Sequence, residues 1–93
     1  MIPENRVAPH PGEVLREEFL RPLELSETRL ASHLGCDKKD IAELVGERSS
    51  LDARLAWLLA MALGTTPEFW LNPQAAHDLS RSRPQQEIPR LVS

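Results

Sequence analysis

Apolar side chains recur three and four positions apart along most of this chain, which is the spacing of amphipathic helices. The first stripe consists of Val14, Leu15, Phe19 and Leu20. Pro22 is expected to end this helix, because proline lacks a backbone donor and crowds the preceding turn. Equivalent stripes follow in residues 27–34 and 38–45, so the pattern predicts an all-α fold.

The second and third helices are bounded by residues that commonly cap helices. Ser26 is a good N-cap for the second helix, and Gly35 supplies a left-handed stop. Asp37 is expected to cap the third helix, which ends at Gly46. The turn between them has three or four residues, so residues 26–46 are a candidate helix-turn-helix.

Two further helices are predicted after this pair. Asp52 is expected to cap an almost wholly apolar helix at residues 53–63, which Gly64 ends. Thr66-Pro67-Glu68 is a strong start signal for a fifth helix, with a capping hydroxyl, a proline at the first position and an acid near the positive dipole end. We expect a kink or break in this helix at Asn72-Pro73.

The 93 residues suit one domain, since so short a chain cannot bury enough surface for two cores. Prolines without helical spacing mark both ends, so residues 1–10 and 82–93 are expected to be loosely held arms around a domain at 11–81. The longest apolar stretch, Leu55 to Gly64, is about half of the ~18 residues that a membrane helix needs. We therefore expect a cytoplasmic protein without a membrane partner.

Charge argues mildly against a nucleic-acid partner. The formal net charge is −3, whereas nucleic-acid binders usually carry a basic excess that neutralises phosphates. The helix-turn-helix spacing alone does not overcome this, because two short helices joined by a glycine turn more often only pack together. A more specific signal is needed before DNA can be inferred.

That signal is a resemblance carried by several short motifs. They are HPGEVL at residues 10–15, EEFL at 17–20, PL at 22–23, ALGTTPEFWLN at 62–72 and QAA at 74–76. Together these resemble the HigA-type antitoxins, and the match runs from about His10 to Leu79.

The resemblance implies a five-helix, lambda-repressor-like fold and a function. Such antitoxins are usually dimers that bind the operator of their own toxin–antitoxin operon. They also neutralise a HigB toxin, a ribosome-dependent mRNA endonuclease. By position, the resemblance makes Asp37 to Ile41 the start of the recognition helix and Ser26 to Arg29 the start of the helix that crosses the phosphate backbone.

The candidate DNA-binding residues follow from this placement. They are Ser26, Thr28, Arg29, Lys38, Lys39, Asp40 and Arg48. Lysines in the first turn of a helix inserted into a groove can donate to guanine O6 or N7 or to phosphate, and free amides at both helix starts attract phosphate. The alternative for both lysines is a solvated charged turn. Asp40 can accept from cytosine N4, although contact with solvent alone is favoured.

The charge of this segment differs from the pattern common in the family. Residues 27–48 carry four basic and five acidic side chains, a net charge of −1, so long-range attraction to phosphate is expected to be weak. Arg54 and Arg6 are further candidates for phosphate contacts. The alternative function is a protein-binding adaptor of the same fold in which DNA binding is weak or lost.

The fourth helix points to a protein contact. The family often carries basic residues on its outer face, whereas this chain has Trp57, Leu58 and Met61, which would form an exposed apolar patch. We predict a homodimer or partner contact there. The alternative is that Ile88, Leu91 and Val92 of the terminal arm fold back and cover the patch within one chain.

No residue pattern indicates catalysis or a bound cofactor. His10, His33 and His77 lack metal-ligand spacing, and we expect His33 and His77 at the surface. Cys36 is expected to fill a small apolar site, and residues 69–71 to anchor the core. The sequence offers no nucleophile elbow, phosphate loop or convincing pair of carboxylates, so neither an enzyme nor a small-molecule substrate is expected.

Overall fold

The computed structural model describes residues 8–92, and within them all regular structure is helical. The first helix, α1 (Pro11–Leu15), runs directly into a π-helical turn at Arg16–Leu20. Four more helices follow, which are α2 (Glu27–Leu34), α3 (Lys38–Val45), α4 (Ala53–Leu63) and α5 (Pro67–Ser82). The predicted all-α class and five helices are confirmed.

The start of α1 depends on the histidine that precedes it. His10 has an extended backbone, and its Nδ1 accepts a hydrogen bond from the Gly12 amide at 2.9 Å. Pro11 then occupies the first helical turn, where its missing N–H has no consequence. A Cβ atom at Gly12 would overlap the carbonyl oxygen of Leu44, so α1 and α3 approach at the level of their backbones. Residue 12 is therefore glycine for reasons of space.

The core is formed by one face of every helix. It consists of Leu15, Leu20, Leu30, Ala31, Ile41, Leu44, Val45, Leu51, Ala56, Leu59, Ala60 and Trp70. Trp70 is fully buried, as expected for residues 69–71, and its indole N–H donates to the Thr65 hydroxyl at 2.7 Å. The ring of Phe19 lies 5.3 Å from that of Trp70, so the π-helical turn is packed on the start of α5.

Helix α5 continues through Pro73, so of the expected kink or break at Asn72-Pro73 the break is wrong, while the kink stays a prediction. Proline removes only the one amide that would pair with the carbonyl oxygen of Phe69, and the helix is fixed on both sides of that gap. Before it lies the buried Trp70. After it, Gln74 accepts a hydrogen bond from the Leu51 amide at 2.8 Å, which ties α5 to the loop before α4.

The two ends of the described chain differ in their packing. Ala8 is buried and its amide donates to the Ser80 hydroxyl at 3.1 Å, so residues 8–10 do not form the loose arm expected from the sequence. Residues 1–7, including Arg6, lie outside the described residues. Residues 83–92 are exposed and carry no helix or strand. Their apolar side chains do not cover α4, so that alternative is wrong.

Candidate nucleic-acid interface

Helices α2 and α3 form the predicted helix-turn-helix. Gly35 ends α2 with a φ of 76°, in the left-handed region, and its amide donates to the carbonyl oxygen of Ala31 at 2.9 Å. The Cys36 amide donates to the same carbonyl at 3.0 Å. The chain thus reverses over three residues and brings the start of α3 beside α2. Cys36 is half-buried against the core, as expected, and burial raises the pKa of its thiol.

The start of α2 is capped as the sequence predicts. The Ser26 hydroxyl accepts a hydrogen bond from the Arg29 amide at 3.0 Å. The side chains of Thr28 and Arg29 are exposed beside it. Ser26 therefore fixes the helix start, while Thr28 and Arg29 are free to contact a ligand.

The start of α3 differs from its prediction. Asp37 occupies the N-cap position with an extended backbone, but its carboxylate makes no hydrogen bond to the helix, so the expected side-chain cap is wrong. Ser26, Asp52 and Thr66 all make the corresponding bond in their own helices. The first-turn amides of α3 consequently lack a side-chain partner, next to the exposed Lys38 and Lys39.

Positive and negative side chains lie on different sides of α3. Lys38 lines a groove of about 410 Å³ together with Thr28 and Arg21. Asp40 and Glu43 line a separate cleft of about 220 Å³, between α3 and α4. The near-zero net charge of the helix-turn-helix therefore conceals a basic side at Lys38 and an acidic side at Asp40.

An arginine at the start of the π-helical turn, Arg16, fixes the far end of α3, which the sequence analysis missed. Arg16 donates to the carbonyl oxygen of Val45 at 2.7 Å and to Glu17 at 2.8 Å, and it lies 3.7 Å from Glu47. The hydrogen bond from Arg16 lowers the pKa of the Glu17 carboxyl. Since an exposed carbonyl at a helix end attracts a cation, an arginine opposite the end of a short helix was the signal available.

The predicted DNA-binding residues do not all meet at one place. Arg48 lies with its guanidinium against Gly46, at the carboxyl end of α3. Lys38 begins the same eight-residue helix, so the two are separated by about 12 Å of helix axis. Arg54 lines the acidic cleft and forms no ion pair with Asp52 within residues 8–92.

The outer face of α4, defined by Trp57, Leu58 and Met61, is exposed at two of these three residues. Trp57 is 58% exposed and Met61 70%, whereas Leu58 is half-buried in a small cavity beside His33. Ala56, Leu59 and Ala60 point the other way, into the core. A tryptophan and a methionine thus stand uncovered on an apolar helix, and their role in an interface stays a prediction.

The histidines divide differently from the expectation. His33 is exposed, as predicted, but His77 is buried, because its Nδ1 pairs with the Ala8 carbonyl oxygen at 2.8 Å and its ring packs on His10.

No group of three metal-ligating side chains occurs within residues 8–92. No helix in that range is long and apolar enough to cross a membrane.

Similarity to known proteins settles the family. The antitoxin HigA-1 of Vibrio cholerae is 44% identical over 78 residues, which cover 82% of this chain and 73% of that protein. This chain belongs to the HigA antitoxin family. A regulator of the helix-turn-helix type from Escherichia coli, YbaQ, is 36% identical over 85 residues, which cover 87% and 75% of the two chains. No protein-family model matches this HigA-family chain.

Solved structures of HigA-type antitoxins share the fold. Pseudomonas aeruginosa HigA, in a structure with the higBA promoter, is 32% identical and superposes with a TM-score of 0.77 over 80% of each chain. The antitoxin GraA in complex with its operator is 36% identical and superposes with a TM-score of 0.87 over the whole of both chains. The lambda-repressor-like architecture predicted for this HigA-family chain is thereby confirmed.

Proposed function

We propose that this HigA-family chain is the antitoxin and autorepressor of a HigB-like toxin pair, and that a dimer binds operator DNA through the start of α3. The observation that carries the proposal is the position of Lys38. It is exposed in the first turn of α3 and faces the same groove as Thr28, at the start of α2. Two of its relatives, the HigA of Pseudomonas aeruginosa and GraA, are described in structures with promoter or operator DNA.

The chemistry of recognition follows from this geometry. With α3 in the major groove, Lys38 and Lys39 donate to guanine O6 and N7 or to the flanking phosphates. The uncapped first-turn amides of α3 donate to a phosphate oxygen, with the helix dipole adding to the attraction. Thr28 and Arg29 contact the backbone on the other side of the groove and set the register without reading bases.

Arg48 and Asp40 take different roles in this proposal. Arg48 lies at the carboxyl end of α3 and reaches a phosphate about one helix length from the Lys38 contact. Asp40 faces the acidic cleft with Glu43, away from the groove that contains Lys38. Since an acid near phosphates disfavours every sequence, its place on the other side of α3 keeps it from opposing the DNA contact.

Dimerisation supplies the second half-site. Two α3 helices read half-sites about 34 Å apart, so operator binding requires two copies in a fixed arrangement. The outer face of α4 is our candidate for a contact with a second copy or with the toxin, because exposed tryptophan and methionine are typical of protein interfaces. The action of such a repressor takes place in the cytoplasm, where operator and ribosome are found.

The deciding experiment is a titration of the DNA upstream of the protein's own gene at several salt concentrations. Lys38→Ala with Lys39→Ala is expected to weaken specific binding at least tenfold and to reduce the salt slope by about two, since each phosphate contact contributes roughly 0.9. Asn72→Asp with Ala75→Glu, on the exposed side of α5, lowers the net charge equally and serves as the control. The control should retain binding close to that of the unchanged protein.

The opposite result identifies the alternative function. If the unchanged protein shows no preference for that DNA over random DNA at low salt, it is a protein-binding adaptor of the same fold.

The outer face of α4 is tested by Leu58→Arg with Met61→Arg, which should raise the monomer fraction or abolish toxin binding. Met61→Arg alone is the milder variant, since that side chain is 70% exposed whereas Leu58 is half-buried. Unchanged mass together with unchanged toxin affinity would remove α4 from the proposal.

A further inference from the structure

Residues 83–92, here called the carboxyl arm, leave three apolar side chains uncovered. Ile88, Leu91 and Val92 are 74%, 100% and 75% exposed, and none of them packs on the domain. Pro84 and Pro89 favour an extended, polyproline-like backbone. At three residues per turn and about 3.1 Å per residue, Ile88 and Leu91 fall on one edge of the arm, roughly 9 Å apart.

A matching surface lies on α4 and beside it. Its apolar part is the outer face of α4, with Trp57 and Met61 most exposed. Its polar part is the adjoining cleft, lined by Asp40, Glu43 and Asp52 together with Arg54. No ion pair within residues 8–92 involves these four side chains, so the cleft keeps an acidic excess next to an apolar helix face.

The arm and this surface are complementary in charge as well as in hydrophobicity. The arm carries Arg90 between Ile88 and Leu91. When the arm lies along α4 with Ile88 and Leu91 on Trp57, the guanidinium of Arg90 extends to one side of α4. The acidic cleft lies on one side of α4, where Asp40 and Glu43 are the carboxylates on the facing helix α3. Arg90, with apolar neighbours in the arm, is therefore complementary to the carboxylates of the cleft, which adjoin the apolar face of α4.

The arm does not reach the matching surface of its own chain. It leaves from the end of α5, which packs on α4 from the core side, whereas Trp57 and Met61 are on the opposite side of α4. The described chain measures 50 × 23 × 23 Å, so the arm projects along one direction from a body of much smaller width. An arm that points away from its own body is available to a neighbour.

The likeness to GraA extends over this arm. The operator-bound GraA superposes over the whole of both chains, the arm included, at 36% identity. Holding an extended segment in one conformation costs backbone entropy, and contacts must compensate for it. Since the arm finds no such contacts on its own domain, the compensating surface belongs to another molecule.

We propose that two copies of this chain exchange their carboxyl arms. The arm of one copy lies along the outer face of α4 of the other, with Ile88 and Leu91 against Trp57 and Met61 and with Arg90 over Glu43. The inference rests on the dimer of the proposed function and specifies its contact. Because the exchange is reciprocal, the interface occurs twice around a two-fold axis and closes without leading to longer assemblies.

The first test removes the arm. A chain that ends at Ser82 keeps every helix, and its circular dichroism should match that of the full chain. In sedimentation equilibrium without DNA its dimer dissociation constant should rise at least tenfold. A truncated chain that dimerises as tightly as the full chain overturns the proposal. If the truncation weakens operator binding and leaves dimerisation unchanged, the arm contacts DNA and not a second copy.

The second test exchanges the proposed charges. Arg90→Glu and Glu43→Lys should each weaken self-association, while an equimolar mixture of the two variants should form a heterodimer in which both arm contacts pair opposite charges. Arg83→Glu, at the base of the same arm, changes the charge equally and is the matched control. If the mixture associates no better than either variant alone, Arg90 does not lie over Glu43 and the proposed register is wrong.

The third test uses the exposed tryptophan as a local probe. Trp57 is exposed and Trp70 is fully buried, so a change in emission on dilution reports mainly on Trp57. Dilution of the full chain should shift the emission to longer wavelength, and Trp57→Phe should abolish the shift. An arm that covers Trp57 of its own chain would give an emission independent of concentration, which contradicts exchange. A chain that fails to bind its operator while showing the concentration-dependent shift would refute the proposed function and retain the exchange.

Discussion

The imidazole ring of His10 meets that of His77 edge to face, with 4.9 Å between the ring centroids. Each ring has a fixed partner, since His10 Nδ1 accepts from the Gly12 amide and His77 Nδ1 donates to the Ala8 carbonyl oxygen. The remaining nitrogen of His77 faces a guanidinium nitrogen of Arg81 at 3.4 Å and accepts from it. Because Nδ1 of His10 accepts the amide hydrogen, this bond requires a neutral His10 ring. The pair links α1, α5 and the segment before α1.

The first prediction is a loss of stability in mild acid. Burial, and then the neighbouring His77, lower the pKa of His10 from its ordinary 6.5, against a smaller opposite effect of Glu47 and Asp78. The unfolded chain therefore binds the proton more readily. The free energy of unfolding should be highest above pH 6.5 and should fall as the pH drops through 6.5 towards the lower folded value.

Urea unfolding at pH 7.5, 6.5 and 5.5 measures this effect. His10→Asn keeps a side-chain acceptor for the Gly12 amide but cannot titrate, so its stability should depend less on pH over this window. His33→Gln removes an exposed histidine and should leave the original profile in place. An equally steep profile in His10→Asn would show that another group is responsible.

The second prediction concerns Gly12. Gly12→Ala places a methyl group against the carbonyl oxygen of Leu44, so α1 must move away from α3 and the free energy of unfolding should fall by about 2 kcal/mol or more. Gly35→Ala is the comparison, because its φ of 76° is unfavourable for alanine but nothing lies within 4 Å of the added atom. That substitution should cost only about 1 kcal/mol.

Sequence reasoning succeeds for local features of this fold and fails for contacts between distant helices. Helix periodicity and capping are local, and so the bounds of α2, α3 and α4 could be predicted from terminal residues such as Ser26, Gly46 and Gly64. The overlap at Gly12 and the burial of His77 depend on helices that are distant along the chain. Nothing in the sequence around residue 77 distinguishes a surface histidine from one that holds the Ala8 carbonyl.

The third prediction concerns the bond between α5 and the loop before α4. Gln74→Leu leaves the buried Leu51 amide without its 2.8 Å acceptor, and an unpaired buried donor costs about 1 to 3 kcal/mol. Thermal unfolding should therefore occur at a lower temperature. Gln85→Leu, in the exposed carboxyl arm, is the matched control and should leave the melting temperature unchanged. Equal melting of both variants would mean that the Leu51 amide finds another acceptor.

The fourth prediction follows from the unbroken helix at Pro73. Pro73→Ala restores a backbone donor for the Phe69 carbonyl and relieves ring crowding inside a continuous helix, so it should stabilise the protein by about 1 to 2 kcal/mol. The measurement is the midpoint of urea unfolding, which should rise. Pro84→Ala in the carboxyl arm lies outside every helix and should not raise it. A lower midpoint for Pro73→Ala would show that the ring itself is needed where it packs near Val14.

The candidate site could be located from the sequence but its chemistry could not. The motifs that carry the family resemblance are structural: His10 caps a helix, Gly12 makes room for α3, and Trp70 fills the core. They fix the fold and say little about which bases are read. The distribution of charge around α3 was out of reach, because a sum over residues cannot show that Lys38 and Asp40 face different cavities.

The uncapped start of α3 has a consequence for the backbone itself. Ser26, Asp52 and Thr66 accept from the third amide of their helices, whereas the third amide of α3, that of Asp40, bonds only the Asp37 carbonyl oxygen at 3.0 Å. The Asp40 amide should therefore exchange with solvent deuterium faster than the amides of Arg29, Leu55 and Phe69. A bound phosphate would close that turn. The recognition helix would then acquire its missing cap from the nucleic acid, and slower exchange in its first turn on addition of DNA would report binding without any label.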